Sequence, residues 1–318
     1  MSSTRWGVGV DVGGSHVAAV VCDPRGKVLR TAERECARRG GVHEWVRAIE
    51  GTVEEAARLP RDRRGRGTVG VAFPGVLEGP RGRVVYAPNL PGWLHREAVP
   101  LLEKALRSRV RVENDANCGA WAEHRLGGRR TGRDLLYVVL GTGIGAGVVL
   151  DGRLLRGRYG TAGELGHFRV PGALSRCGCG NRGCLEAVAG GRALARRAEE
   201  LARERPTSRL GRLRSERGPL SAWDLLRLAE QKDPVAVMER DRAGWAIGEV
   251  MGGAVNLLGT TEVVVSGRLP EGAPGFWRAI VSRFESTLLP PLGARVSLRR
   301  GVDWQRRNAV GAWLLTRS

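Results

Sequence analysis

Short apolar runs that end in glycine or turn residues dominate the first half of the chain. Trp6–Val12 alternates apolar and small residues, and Val17–Cys22 forms a second apolar run after Gly13-Gly14-Ser15. Runs of this length between turn residues predict antiparallel strands. The remaining pattern predicts strands at 68–72, 110–113, 134–140, 148–150 and 262–266, and helices at 42–59, 100–107, 116–126, 191–201, 221–229, 234–257, 274–288 and 308–315.

One layout of strand, glycine turn and strand occurs twice. Val8–Cys22 and Val138–Leu150 each contain two apolar runs around a glycine-rich turn. This repetition predicts a weak internal duplication, with one glycine hairpin in each half of an α/β chain. Arg205–Gly218 is polar and rich in arginine, which favours a mobile surface loop there.

The length and composition fit a globular protein with two domains. The chain has 318 residues, of which 42% are hydrophobic, and it contains no apolar run of the length that a membrane span needs. Its first residues are polar and do not have the layout of a signal peptide. We therefore expect a soluble, cytoplasmic protein that does not bind a membrane.

The net charge of +19 raises the question of a nucleic-acid partner. Nearly all of this charge is arginine, and it is scattered along the chain. The densest runs, Arg61–Arg66, Arg129–Arg133 and Arg192–Arg214, are not interleaved with aromatic residues. This pattern favours a solvated, arginine-rich surface over a nucleic-acid interface, and its field would attract an anionic nucleotide.

The two glycine turns are candidate phosphate loops. At Asp11–Ser15, backbone N–H groups can approach an anion, Asp11 can hold a hydrated magnesium ion and Ser15 can bind a phosphate. A tight hairpin without a ligand explains this first turn equally well. The second turn, Gly141–Gly147, has neither the lysine of a P-loop nor the following helix of a dinucleotide-binding fold. Two such turns roughly 130 residues apart fit a clamp on one polyphosphate.

Glu113–Asn117 lies where a predicted strand ends and a helix begins. Asp115 is placed to cap the helix N-terminus, and it is equally placed to accept a proton from an attacking hydroxyl. Asn114 and Asn117 offer alternative local hydrogen bonds, so both roles can be filled by different residues.

The most specific local motif combines His167 with Cys177, Cys179 and Cys184. Three thiols and one imidazole within 18 positions match a tetrahedral zinc site, and the glycines between them allow tight turns. Because four ligands complete the shell, we interpret the site as structural. The six cysteines of the chain fit one metal site in a reducing compartment better than a disulfide framework.

Together these segments resemble the ROK family of sugar kinases and repressors, over essentially the whole chain. Asp11–Ser15 is similar to the family's first phosphate loop, with serine where threonine is usual. Glu113–Asn117 is similar to the catalytic segment, and Cys177–Cys184 to the zinc motif. The family signature extends from Leu140 to His167 through Gly143, Gly145, Gly147, Gly157, Gly163 and Gly166.

The resemblance implies an α/β, actin-like (ribonuclease H-like) fold of two domains with a cleft between them. We expect a small domain at 1–118, completed by a C-terminal helix at 303–318, and a large domain at 119–302 that carries the zinc site. The implied enzyme is a sugar 6-kinase that uses ATP and Mg²⁺, with Zn²⁺ in a structural role. A homodimer is compatible with the family.

The resemblance also implies roles for individual residues. Asp115 would be the general base on the sugar 6-hydroxyl, and His167 would bind zinc through one ring nitrogen while the other faces the sugar. Sugar contacts are implied at Asn89, Asn114, Asp115, Glu164, His167 and Glu186. Nucleotide contacts are implied at Asp11, Gly13, Gly14, Ser15, Gly141, Thr142, Gly143, Gly145 and Gly267.

Three features bear on the alternatives within the family. Ser266-Gly267-Arg268-Leu269 carries one glycine where the adenosine-side segment usually has several, which implies a differently lined base pocket. Asp11 lies close to the start of the sequence, so we expect no helix-turn-helix module and no repressor. Asp11, Asp115 and both glycine loops argue against a sugar sensor without catalysis. Glucose is the expected substrate, and 3-amino-3-deoxyglucose, N-acetylglucosamine and N-acetylmannosamine remain alternatives.

Overall fold

The computed structural model describes residues 6–36, 41–58, 67–127, 133–301 and 304–318. The strands are β1 (Gly7–Val12), β2 (His16–Cys22), β3 (Val28–Glu35), β4 (Val69–Phe73), β5 (Val76–Glu78), β6 (Arg83–Tyr86), β7 (Val110–Asn114), β8 (Leu135–Leu140), β9 (Ile144–Leu150), β10 (Arg153–Leu154), β11 (Glu262–Ser266) and β12 (Ser297–Arg300). The helices are α1 (Val42–Ala56), α2 (Ala98–Leu106), α3 (Asp115–Leu126), α4 (Leu185–Ala189), α5 (Gly191–Glu204), α6 (Arg209–Arg217), α7 (Ala222–Glu230), α8 (Pro234–Leu258), α9 (Arg268–Gly272), α10 (Pro274–Thr287), α11 (Pro290–Gly293) and α12 (Trp304–Leu315). Short 3₁₀ turns occupy Pro91–Trp93 and Leu165–His167.

The two large sheets have the same strand arrangement. The first has the order β3-β2-β1-β4-β7, with β1, β2 and β3 antiparallel and β4 and β7 parallel to β1. The second has the order β10-β9-β8-β11-β12, with β11 parallel to both β8 and β12. The order therefore repeats, as the predicted internal duplication requires. The sequence pattern did not predict the small β5-β6 hairpin, the short edge strands β10 and β12, or the short helices α4, α9 and α11.

Contacts divide the chain into two compact units. Unit 1 comprises the described parts of Met1–Asp134, Gly147–Gly163 and Asp303–Ser318, and unit 2 those of Leu135–Ala146 and Glu164–Val302. The domain boundary expected at residue 118 falls inside α3, which continues to Leu126. Residues 147–163 group with unit 1 because Gly147 lies against α3, where a Cβ would be 2.7 Å from the Ala116 carbonyl oxygen.

Unit 1 is built on the first sheet and on α12, which packs across β1 and β4 and alongside α3. Gly9 and Gly70 allow this helix to approach, because a Cβ at either position would collide with the carbonyl oxygen of Ala309 or of Ala312. On the other side of the sheet, the core contains Trp45, Phe73 and Trp93. The rings of Phe73 and Trp93 meet edge to face, with centroids 5.2 Å apart.

Unit 2 has a helical layer in which α8 and α10 pack closely. Gly244, Gly248 and Gly252 recur every four residues and so lie on one face of α8. A Cβ at these positions would come within 2.7 Å, 2.5 Å and 2.6 Å of atoms of α10. This stripe of glycines explains part of the glycine-rich composition as a requirement of packing.

The prediction of a mobile loop at 205–218 was wrong, because most of this segment forms the helix α6. Ser208 caps this helix, with its hydroxyl accepting a hydrogen bond from the Gly211 N–H at 3.1 Å. Glu199 on α5 holds it in place by pairing with Arg214 at 2.7 Å and by accepting from the Leu220 N–H, also at 2.7 Å. The arginines that suggested a solvated loop thus lie in a helix, and Glu199 anchors that helix through Arg214.

Several of the densest arginine positions, 61–66 and most of 129–133, lie outside the described residues. In the ranges that the structure does describe, no helix combines the length and the apolar character needed to cross a membrane.

The close approach of α12 predicts the effect of adding one methyl group. Gly9→Ala should lower the free energy of unfolding by about 1–3 kcal/mol or more, because the new Cβ meets helix backbone that cannot rotate away. Gly253→Ala is the matched control on α8, where a Cβ meets no atom within 4 Å and helix propensity favours alanine. Denaturant unfolding measures both, and an equal stability for Gly9→Ala would contradict the packing argument.

Candidate functional site

The first glycine turn connects β1 to β2 in unit 1. The Gly13 N–H donates to the His16 carbonyl at 2.9 Å, and the Ser15 carbonyl accepts from the Cys36 N–H at 2.9 Å. A Cβ at Gly13 would lie 2.7 Å from the His16 ring, and one at Gly14 would face Asn89 at 3.6 Å. The turn is therefore open to a backbone-binding ligand beside Asn89, which itself is exposed.

Asp11 lies at the end of β1, next to this turn. Burial and then the negative charge of Asp115 raise the pKa of the Asp11 carboxyl to about 7. The Asn308 Nδ2 on α12 donates to the Asp11 Oδ2 at 3.3 Å, which partly opposes that rise. Because the charge of Asp115 acts on Asp11, the pair favours a cation, and these residues fit the hydrated magnesium ion of a nucleotide. The sequence analysis missed Asn308, since it lies 297 residues from Asp11 and no local motif connects them.

Asp115 occupies the first turn of α3. The N-cap is Asn114, whose side chain accepts from the Asn117 N–H at 3.1 Å and donates to the Gly75 carbonyl at 3.0 Å. The Asp115 Oδ1 accepts a short-range hydrogen bond from the Ala116 N–H at 2.8 Å. The capping role that the sequence left open thus belongs to Asn114, and Asp115 is not needed for it.

Glu113 and Arg156 stabilise the segment around Asp115, and the sequence analysis did not predict this contact. The Glu113 Oε2 pairs with the Arg156 Nε at 2.6 Å. Its Oε1 accepts from the Asn114 N–H and from the Asn117 Nδ2, each at 3.1 Å. Glu113 therefore orders the backbone and side chains on both sides of Asp115.

The second glycine turn lies in unit 2, at the N-terminus of α5. The N–H groups of Gly191 and Arg192 donate to the carbonyls of Gly141 and Thr142, both at 2.9 Å. The Thr142 side chain is exposed, and Gly145 follows within β9. The N-terminus of α5 thus holds the turn in place through the two carbonyls.

Gly267 follows β11 and has a φ of 109°, a conformation that L side chains rarely adopt. A Cβ there would collide with the carbonyl oxygen of Leu140, the residue before the second glycine turn. Gly267 thus keeps the ends of β8 and β11 close together in unit 2.

Glu186 connects this turn to the cysteine cluster. It lies on α4, two residues after Cys184, and its Oε2 accepts from the Ile144 N–H at 3.0 Å. A side chain at Gly143 would collide with the same carboxylate. One oxygen of Glu186, predicted to bind sugar, is therefore engaged with the turn.

His167, Cys177, Cys179 and Cys184 come together as predicted. Their ligand atoms all lie within 4.8 Å of one another. The Cys177 Sγ is 3.7 Å from the His167 Nδ1, and the Cys179 Sγ is 3.6 Å from the Cys184 Sγ. Ligands at zinc–sulfur distance around one tetrahedral ion are separated by about 3.8 Å, so the four residues fit a Zn²⁺ ion.

The other ring nitrogen of His167 faces Glu164. The His167 Nε2 lies 3.7 Å from the Glu164 Oε2. Burial raises the pKa of the Glu164 carboxyl, the charge of His167 opposes the rise and Glu186 adds to it. Two carboxylates and one imidazole therefore form a polar group that can bind several hydroxyls.

The predicted residues thus form one group within each unit. Unit 1 holds Asp11, Gly13, Gly14, Ser15, Asn89, Asn114 and Asp115, and unit 2 holds Gly141, Thr142, Gly143, Gly145, Glu164, His167, Cys177, Cys179, Cys184, Glu186 and Gly267.

Comparison with known proteins agrees with this geometry. A glucokinase of Thermotoga maritima is 33% identical over 306 residues, which cover 96% of this chain and 90% of that protein. The crystal structure of a ROK family glucokinase from Streptomyces griseus in complex with glucose and AMPPNP matches with a TM-score of 0.83, at 30% identity and over 98% of each chain. The ROK hexokinase of Thermus thermophilus matches with a TM-score of 0.79, at 34% identity and over 97% of each chain.

The repeated sheet and the two units are those of the actin-like kinase fold that these structures share. The ROK family model matches residues 7–318, and the chain belongs to the ROK family.

Proposed function

We propose that this protein is an ATP-dependent hexose kinase that phosphorylates the 6-hydroxyl of glucose or a glucose-like sugar. The observation that carries the proposal is the Asp11–Asp115 pair, with Asp11 half-buried beside a glycine turn and the helix cap supplied by Asn114 in place of Asp115. The glucokinases of T. maritima and S. griseus, each at least 30% identical over nearly the whole chain, support the substrate class.

In this proposal Asp115 is the general base. Its carboxylate accepts the proton of the sugar 6-hydroxyl as that oxygen forms a bond to the γ-phosphorus of ATP and the bond to the β,γ-bridging oxygen breaks, releasing ADP. Phosphoryl transfer depends mainly on positioning and on neutralising charge. The Glu113–Arg156 pair and the Asn114 cap fix the backbone from which Asp115 projects.

Asp11, Gly13, Gly14 and Ser15 would bind phosphate on the unit 1 side. When bound, Mg²⁺ supplies positive charge to the phosphates, and Asp11 would hold it through its hydration shell. Asn308 fixes the orientation of the Asp11 carboxylate. In unit 2, Gly141, Thr142, Gly143 and Gly145 would lie along the nucleotide phosphates, with the shape of the turn fixed by the bond from the Gly141 N–H to the Gly143 carbonyl at 3.0 Å, and Gly267 would lie on the adenosine side.

Sugar binding is proposed for Asn89, Asn114, Asp115, Glu164, His167 and Glu186. Carboxylates and an imidazole suit a ligand with several hydroxyls, because each can accept or donate to a neighbouring pair. A structural Zn²⁺ on the His167 Nδ1 would fix the ring so that its Nε2 stays beside Glu164.

The same acidic group keeps an amino-sugar kinase as a second candidate. After burial, the negative charge of Glu186 adds to the rise in the pKa of the Glu164 carboxyl, so the group favours a positive charge. A protonated amino group in place of a hydroxyl, as in 3-amino-3-deoxyglucose, would be stabilised there. N-acetylglucosamine and N-acetylmannosamine belong to the same panel of candidates.

Asp115→Asn should separate binding from catalysis. The substitution keeps the size of the side chain and removes its basicity, so we expect sugar affinity to change little and kcat to fall by about 10²–10⁴-fold. Asp151→Asn, an exposed carboxylate at the turn after β9 that pairs with the exposed Arg133, is the control and should retain full turnover. ADP release and sugar calorimetry measure the two effects. Turnover that survives in Asp115→Asn rules out Asp115 as the base.

A substrate panel tests the proposed acceptor. ADP release with glucose, mannose, fructose, N-acetylglucosamine, N-acetylmannosamine and 3-amino-3-deoxyglucose should give the highest kcat/KM with glucose. A preference for 3-amino-3-deoxyglucose would favour the amino-sugar kinase. Sugar binding without turnover on any member of the panel would contradict a kinase and favour a sensor.

Metal analysis tests the zinc site. The purified protein should contain about one zinc per chain, and Cys179→Ser should lose most of it because three ligands bind zinc more weakly than four. Cys36→Ser, a partly buried cysteine outside the cluster, is the matched control. The loss should also lower the melting temperature and raise the KM for sugar more than that for ATP. Wild-type protein without zinc after expression in zinc-supplemented medium would contradict the assignment.

A further inference from the structure

A groove between α6 and α7 in unit 2 lies among residues that have no part in the proposed reaction. Residues at spacings of three and four on each helix line its two walls, so that each helix presents one face to it. Its volume is about 540 Å³, within the range of small-molecule sites. The residues that matter for its chemistry are Arg209, Arg212, Arg217, Arg227, Leu213 and Leu228.

The guanidinium groups of this groove differ from the neighbouring ones in their ion pairing. On the α5 side of α6, Arg203 and Arg214 both pair with Glu199, at 3.3 Å and 2.7 Å. Among the described residues, Arg212, Arg217 and Arg227 form no ion pair within 4 Å. Within the described part of the chain, the groove therefore gathers guanidinium groups that form no close ion pair, on helices that the Glu199 contacts hold in place.

The two acidic residues of the groove offset its charge only in part: after the hydrogen bonds with Ser221, the charges of Arg227 and Arg217 contribute to the lowered pKa of the Asp224 carboxyl. Asp224 serves the N-terminus of α7, where its Oδ2 accepts from the Ser221 N–H at 2.8 Å and from the Ser221 hydroxyl at 2.7 Å. The second acidic residue that lines the groove is Glu216. Four guanidinium groups against two carboxylates leave a net positive groove.

The floor of the groove is apolar. Leu228 is buried and Leu213 is half-buried, so carbon atoms of a ligand can rest there. Guanidinium groups form paired hydrogen bonds with phosphate oxygens, which makes phosphate the anion that this arrangement suits best. We propose that the α6–α7 groove binds a small molecule carrying at least two phosphate charges, at a site separate from the catalytic residues.

A compact ligand fits better than a nucleic acid. The groove is lined by no aromatic residue on which bases could stack, and its two carboxylates would repel a continuous phosphate backbone. Groove-dependent binding of a nucleic acid would therefore contradict a small phosphorylated ligand.

Calorimetry with inorganic tripolyphosphate tests the site on the full chain at about 0.15 M salt. The catalytic site is first saturated with glucose and a non-hydrolysable ATP analogue, and tripolyphosphate should then give one further binding event. Arg212→Gln/Arg227→Gln should weaken that event about tenfold or more, since it removes two charge-assisted contacts. Arg47→Gln, an exposed arginine on α1, is the control and should bind as the wild type does.

The tripolyphosphate experiment has further outcomes that support or contradict the site. Circular dichroism and unchanged glucose turnover in the double variant show that the fold is intact. Unchanged tripolyphosphate binding in that variant, or no binding in the wild type, overturns the proposal. Tighter, groove-dependent binding of a single-stranded oligonucleotide also overturns it. Glucose 6-phosphate that competes with tripolyphosphate identifies a phosphate ester as the ligand, and its failure to compete identifies an oligophosphate. Because binding is measured directly, a failure of the kinase proposal leaves this result unaffected.

Discussion

The approach of α12 to the first sheet is the constraint on which the rest of unit 1 depends. Gly9 and Gly70 remove the side chains that would keep the helix at an ordinary distance. The helix can then contact β1, β4 and α3 together, and Asn308 reaches the Asp11 carboxylate. A carboxylate withdrawn from water and subject to the charge of a second one is unfavourable. The packing of this helix supplies Asn308, whose hydrogen bond offsets part of that cost at the proposed magnesium position.

In unit 2, the cysteine cluster and not the packing of a helix orders the proposed binding residues. The cysteine cluster positions the start of α4, and Glu186 on that short helix accepts from the backbone of the second glycine turn. From the same cluster, His167 extends its second nitrogen toward Glu164. A single ion would therefore order both a phosphate loop and a sugar-binding group, which is why a structural metal can affect substrate affinity without touching the substrate.

The sequence predicted what depends on local pattern. Strand–glycine–strand units, most helices and the cysteine cluster follow from residue periodicity and spacing, and the structure shows each of them. The arginine-rich segment at 205–218 was mistaken for a loop because its polarity hides a capped helix whose stability comes from Glu199 on another helix. Asn308 and Arg156 were missed because their partners lie far away in the sequence. Asp115 could not be separated from Asn114 as the helix cap, since adjacent polar residues give the same pattern.

The covering of the first sheet by α12 also has a consequence for biosynthesis. Asn308 is synthesised 297 residues after Asp11. At roughly 5–20 residues per second, that interval is about 15–60 s. Until then the face of β1 and β4 that receives the helix is bare, including the backbone exposed at Gly9 and Gly70. An N-terminal half that otherwise has its own sheet and core therefore remains unfinished on the ribosome, and a nascent chain stalled before α12 would present this face to chaperones.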